Sequence, residues 1–238
     1  MRQAIIIFIF TAAGCLGQVT NPNHLEPITP FDSDGYYQAV FDSLIGKEPS
    51  VLWMICEPSF KPEFAVVLRK VPAKTASTTP VGSEKKQEWY LEEVSAARQI
   101  WHYKEYPANY TGTIELDLLK NVKVDRKRLK IDESVADTLE EAWTSVTRKT
   151  RPNNGNYLGT DGVTYLFYSD GHYGGTWCPE VGLPAALVDL SNCLIKLLNS
   201  AGDRDALLRE ALAKAKQIQI EAGKPDKTDA GKDLGSAR

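Results

Sequence analysis

Apolar positions along this chain change period several times, and each change marks an element. Tyr37, Val40, Phe41, Leu44 and Ile45 recur at i, i+3, i+4, i+7 and i+8, the single stripe of an amphipathic helix. Asp32 or Ser33 is placed to cap its start and Gly46 to end it in a left-handed conformation. Residues 50–56 and 64–71 are β-branched and aromatic runs on either side of E-P-S-F-K-P-E, and predict a hairpin or two neighbouring strands. The polar segment 73–86 lacks an apolar face and predicts a surface loop. Residues 89–103 fit either period, but the aromatic run Gln99-Ile100-Trp101-His102-Tyr103 and the nearby Pro107 favour strands. Segments 113–119 and 122–131 bracket the basic cluster Lys123, Arg126, Lys127, Arg128 and Lys130, which predicts a solvated strand or turn.

The second half is patterned more strongly. Val135, Leu139, Ala142, Trp143 and Val146 share one face of a helix over 133–149, capped by Asp132 and stopped by Pro152 and Asn153-Asn154-Gly155. Val163, Tyr165 and Phe167 alternate with Leu166 and Tyr168, so this strand is apolar on both faces and predicts a central position. Asp170-Gly171 is a hairpin turn signal, with 173–178 returning as the partner strand. Pro184 suits the first turn of a helix continued by Leu187, Leu190, Leu194, Leu197 and Leu198, with Val188 and Ile195 off that face. Asp203 can cap a last helix whose stripe runs through Leu207, Leu208, Ala211, Leu212, Ala215 and Ile218. The pattern predicts an α+β fold, a mainly antiparallel sheet of about five to six strands packed by about four helices. It divides into an export signal over 1–17, an extended tether over 18–31, one α+β domain over 32–222 and a disordered tail over 223–238.

Trp143 on a helix, then Asp161-Gly162-Val163-Thr164-Tyr165-Leu166-Phe167, then Trp177-Cys178-Pro179 and a Leu-rich helix form an ordered set. It resembles a pattern in exported bacterial proteins of no assigned activity, which share a D-G-x-x-Y-x-F strand and a W-x-P corner. The resemblance implies an α+β fold and carries no activity across.

Composition changes the picture at the N-terminus. Arg2, the apolar run Ala4 to Phe10 and the small residues Thr11 to Gly14 form an export leader too short to span a bilayer permanently. Ala12-Ala13-Gly14-Cys15 resembles the lipobox of bacterial lipoproteins, which makes Cys15 the lipidation candidate, with conventional cleavage near Ala13 or Gly17 as the alternative. The expected location is therefore the periplasm, as a membrane-anchored lipoprotein or a soluble protein, or otherwise secretion. A lipid on Cys15 would supply the membrane association. Of 238 residues, 42% are hydrophobic and 25% charged, which suits a globular core. Without Arg2 the balance is 27 basic (28 − 1) against 31 acidic residues, and an acidic chain does not favour nucleic acid.

The strongest catalytic candidate is His172 with Cys178 and Asp170, a nucleophile, base and orienting carboxylate close in sequence. The turn explains Asp170 and packing or a Cys178–Cys193 disulfide explains Cys178. A metal site from His172, Cys178 and Cys193 lacks a fourth ligand and the paired spacing of zinc modules. Gly171, Gly174 and Gly175 are expected to serve turn geometry, and His24, in the tether, to be solvated. Tyr157, Tyr168, Tyr173 and Trp177 are the aromatic set that core packing or a groove for a peptide, sugar or lipid would use. The functional expectation is an exported, non-enzymatic domain that binds an unknown protein or small molecule or supports the envelope, with no cofactor. The alternative is a hydrolase with a thiol or histidine site in the 168–179 hairpin.

Overall fold

The computed structural model describes residues 24–28, 36–73, 87–100, 122–152 and 162–225. The leader with Cys15, the caps Asp32 and Ser33, the segments 101–103 and 113–119, Tyr157 and the tail beyond 225 lie outside them. Ten elements follow in order: α1 Tyr36–Leu44, β1 Leu52–Pro58, β2 Phe64–Pro72, β3 Gln87–Ala96, β4 Val124–Ile131, α2 Glu133–Thr147, β5 Val163–Ser169, β6 His172–Trp177, α3 Gly182–Asn199 and α4 Arg204–Ala222. The α+β expectation holds, and residues 87–96 take the strand period. All six strands form one antiparallel sheet in the order β4-β3-β2-β1-β5-β6.

Strand alternation divides the interior into two cores on opposite sides of the sheet. Leu52, Met54 and Cys56 of β1, Val66 and Leu68 of β2 and Phe167 of β5 face α2, α3 and α4. Trp143 of α2 is fully buried and meets Phe167 edge-on at 6.4 Å. Val188 and Cys193 are buried as well as the leucine stripe of α3, because that helix packs against both the sheet and α4. On the other face Trp53, Ile55, Ala65, Val67, Val94 and Leu166 meet Val40, Leu44 and Ile45 from α1 and the residue after it. Gly46 at φ +70° turns the chain out of α1, its amide donating to the Phe41 carbonyl at 3.1 Å.

Residues 24–28 are not a solvated tether. Leu25 is fully buried and His24 is 5% exposed. Glu26 and Gly175 exchange backbone hydrogen bonds at 2.9 and 2.8 Å, so this segment adds to the edge of β6. The two glycines of β6 are explained by that approach rather than by a turn. A Cβ on Gly174 would lie 2.6 Å from the Leu25 Cβ, and one on Gly175 would lie 2.5 Å from the Ile28 side chain. Gly171, at φ +77°, is the turn glycine.

An ionic cluster ties β4, β3 and β2 to the end of α1. Arg69 is wholly buried, and its Nε donates to Glu92 Oε2 at 2.8 Å while its two terminal nitrogens donate to the Glu48 and Ile45 carbonyls, each at 2.7 Å. Those carbonyls follow the last turn of α1, where unpaired acceptors and the helix dipole both favour a cation. Arg128 of β4 also bonds Glu92, and Lys130 pairs with Glu88, so part of the basic edge strand is neutralised locally. Replacing Glu92 by leucine strands the Arg69 charge inside the protein. Glu92→Leu is expected to destabilise the fold by about 3–5 kcal/mol in urea unfolding. An unchanged unfolding midpoint would show that Arg69 does not depend on it.

Candidate functional site

The hairpin candidates do not converge. Asp170 at φ +49° occupies the turn and pairs with Arg148, the residue just past the end of α2. His172 is exposed beside it, in register with Ser169. Cys178 lies past the far end of β6, roughly 20 Å along the strand from His172. There its sulfur accepts from the Val163 amide at 3.2 Å, and its own amide donates to the Val163 carbonyl at 2.9 Å. Trp177 packs so closely on Gly162 that a Cβ there would lie 2.5 Å from the indole nitrogen. The Trp-Cys-Pro corner thus closes the open end of the hairpin. Among the described residues Cys56, Cys178 and Cys193 form no disulfide, so the Cys178–Cys193 bridge is not made. Burial pushes the Cys56 thiol up to about 12, the nearby Glu57 charge adding to the effect, which leaves little nucleophilic thiolate near neutral pH. Among the described residues no His, Cys, Asp and Glu side chains cluster as a metal site, and His172, Cys178 and Cys193 are not brought together as ligands.

The aromatic set is divided as well. Tyr168 and Tyr173 meet at 4.8 Å, and Trp53 stacks on Tyr168 at 5.5 Å with its planes 19° apart. Trp177 serves the hairpin end instead.

Trp53 and Tyr173 also border a different site, under α1. Phe41 of α1 meets Trp53 edge-on at 5.8 Å, and Tyr37 of the same helix lines one cavity with Glu57. Between helix and sheet lies a cavity of about 50 Å³ lined by Ile28, Tyr37, Phe41, Trp53, Ile55, Glu57, Leu166 and Tyr173. One end is aromatic, the floor is aliphatic, and Glu57 supplies the carboxyl. Its Oε1 is shut off from water with no hydrogen-bond partner. Burial, reinforced by the charge of Glu63, pushes this carboxyl up to about 8.

Glu63 stands in contrast. It is 1% exposed, yet it accepts from the Tyr36 hydroxyl at 2.5 Å and from the Ile100 amide at 2.7 Å. Desolvation first, and the Glu63 bond second, raise the Tyr36 hydroxyl well above the usual phenol range, so it remains a donor. Two acids therefore share one corner of the molecule, one satisfied by its neighbours and one carrying a proton near neutrality. Chemically, the pocket can hold an apolar group and exchange one proton, or one charge, at Glu57.

In the sequence Glu57 and Glu63 bound the E-P-S-F-K-P-E loop and carry no sign of a role. Parity was the available signal, since Glu57 continues the Trp53 and Ile55 face of β1 and must point where they point. Comparisons with protein-family models, curated proteins and solved structures found no match to this chain.

The raised carboxyl has a thermodynamic consequence. Unfolded, Glu57 returns to about 4.3, so between there and about 8 the folded chain holds the extra proton. Stability from this group is full below the unfolded value and falls as pH rises to the folded value. Glu57→Gln is expected to be nearly neutral at pH 4 and to stabilise by on the order of 4–5 kcal/mol at pH 9, measured by urea unfolding at both pH values. An equal effect at both would sink this reading of the pocket.

Proposed function

We propose that this chain is an exported binding domain and that the cavity under α1 is its ligand site. The observation that carries the reading is the union of an apolar, partly aromatic enclosure with one unpartnered carboxyl. Well-packed cores rarely retain either feature without a use for it, whereas ligand sites are mostly apolar with a few placed polar groups. The hydrolase alternative is less favoured, because Cys178 stands at the opposite end of β6 from His172 and Asp170, and Asp170 pairs with Arg148. Export rests on the leader over 1–17, and anchoring on Cys15. Among the described residues no helix is long and apolar enough to cross a membrane.

A small neutral amphiphile tests the pocket directly. 1-Butanol titrated into the full chain is expected to shift the methyl resonances of Ile55 and Leu166 saturably, and Leu166→Phe, which narrows the cavity, is expected to weaken binding severalfold. No shift, or one untouched by Leu166→Phe, would remove the pocket as a binding site. For export, mass spectrometry of the chain purified from cells that secrete it is expected to give a mature terminus at Cys15 with added diacyl mass, or a cleaved chain beginning between Gly14 and Gln18. An intact Met1 would overturn export, and cleavage without lipid would overturn anchoring.

A further inference from the structure

We infer that the pocket under α1 recognises the ammonium group of a small alkylamine, with Glu57 as its counter-charge and the apolar walls receiving the alkyl chain. The inference rests on the pocket reading above and adds the chemical class of the ligand. An anion is disfavoured, since two carboxyls, Glu57 and Glu63, stand at that end. A neutral ligand would give Oε1 at most one ordinary hydrogen bond. An ammonium group brings three donors and a charge-assisted bond, the stronger kind. Glu63 does not compete for it on equal terms, because the Tyr36 hydroxyl and the Ile100 amide already bond its two oxygens.

Dimensions narrow the class further. A cavity of about 50 Å³ has room for roughly three to four water-sized groups, which suits the head and first carbons of a short-chain amine, with the end of a four-carbon chain reaching the mouth. Trp53 and Glu57 lie four residues apart on one strand face, roughly 13 Å along it, so the carboxyl end and the aromatic end are separate. The ammonium belongs beside Glu57, and the chain points along Ile55 and Leu166 toward Phe41 and Trp53. Tyr173, 43% exposed, forms the mouth through which a longer tail would emerge.

Binding should be linked to protons. The titratable and charged groups on this side are Tyr36 and Tyr37 from α1, Glu63 from the β1–β2 connection, Tyr168 from β5 beside uncharged Thr164 and Leu166, Tyr173 from β6, and His24 and Glu26 from segment 24–28. Of these, Glu63 is the group whose charge acts on Glu57, and it acts in the same direction as burial. An incoming cation reverses that effect and expels the Glu57 proton.

The test is a paired titration of the full chain with butylammonium and 1-butanol, followed on the Ile55 and Leu166 methyl resonances at pH 9 and pH 6. The amine ionises near the lysine value of about 10.4 and remains largely a cation at both. At pH 9 butylammonium is expected to bind about tenfold more tightly than 1-butanol, and its affinity to fall about tenfold or more by pH 6, where Glu57 is protonated. Glu57→Gln is expected to abolish the preference for the amine over 1-butanol at pH 9. Equal affinities, a pH-independent preference, or a preference that survives Glu57→Gln would overturn the ammonium assignment while leaving the pocket standing. Failure of both ligands to move the methyl resonances would overturn the pocket as well.

Discussion

The pairing of β1 with β5 is the constraint on which the rest of the structure depends. It joins two parts of the chain far apart in sequence. Ser59 and Gly162, which close its end through a hydroxyl that both donates and accepts at 2.9 Å, are 103 residues apart. Its register sets Met54 against Phe167, Ile55 against Leu166 and Glu57 against Thr164. A slip by one residue would turn every side chain of one strand to the other face. Phe167 would leave Trp143, and Leu166 would leave the floor of the pocket. Both cores therefore select the same register, and the site under α1 is a by-product of the alignment that buries Trp143.

Two acids on the same face of this sheet show how burial is managed in opposite ways. Glu92 is 1% exposed and meets Arg69, Arg128 and Arg126. Desolvation of that carboxylate is offset by charges of which Arg69 and Arg126 are in turn held by backbone carbonyls, and the cluster holds α1 to the sheet. Glu57 has no such cation and keeps a proton instead, the cheaper solution for an isolated acid. The first arrangement is closed, since its donors and acceptors are used up. The second is open. It leaves a carboxyl whose charge state a ligand can change, and this difference separates a structural acid from a candidate functional one.

Much of the fold was legible in the sequence where one physical rule acted alone. The alternation of Val163, Tyr165 and Phe167 with Leu166 and Tyr168 gave β5 its bounds, and Asp170-Gly171 gave the turn. Segment 24–28 was misread because three prolines over 18–31 suggest an extended tether, and extended is the conformation a sheet edge also accepts. The clue lay in its partner, since paired glycines at 174 and 175 leave space for another backbone. Gly174 and Gly175 were assigned to turn geometry for want of that partner. The candidate site was not legible as a site. His172, Cys178 and Asp170 are neighbours in sequence, and a β-hairpin then carries two of them to one end and the third to the other. Proximity along a strand is distance in space.

The same geometry argues for what kind of site this is. Covalent catalysis requires a nucleophile, a base and an orienting group within hydrogen-bond reach, and the thiols here are spent otherwise. Cys178 holds the Val163 amide, Cys193 faces the Leu207 carbonyl at 3.7 Å, and Cys56 is sealed against Tyr165. Glu57 alone among these groups combines a chemical capacity with space in front of it. An acid beside an empty apolar volume has two states, protonated and indifferent to charge, or ionised and in need of a cation. Near neutrality burial and Glu63 favour the first. A ligand that supplies the cation and fills the volume stabilises the second, so charge and shape complementarity act on one equilibrium. That coupling makes binding selective for a molecule that is cationic and apolar at once, since either property alone leaves half of the pocket unsatisfied.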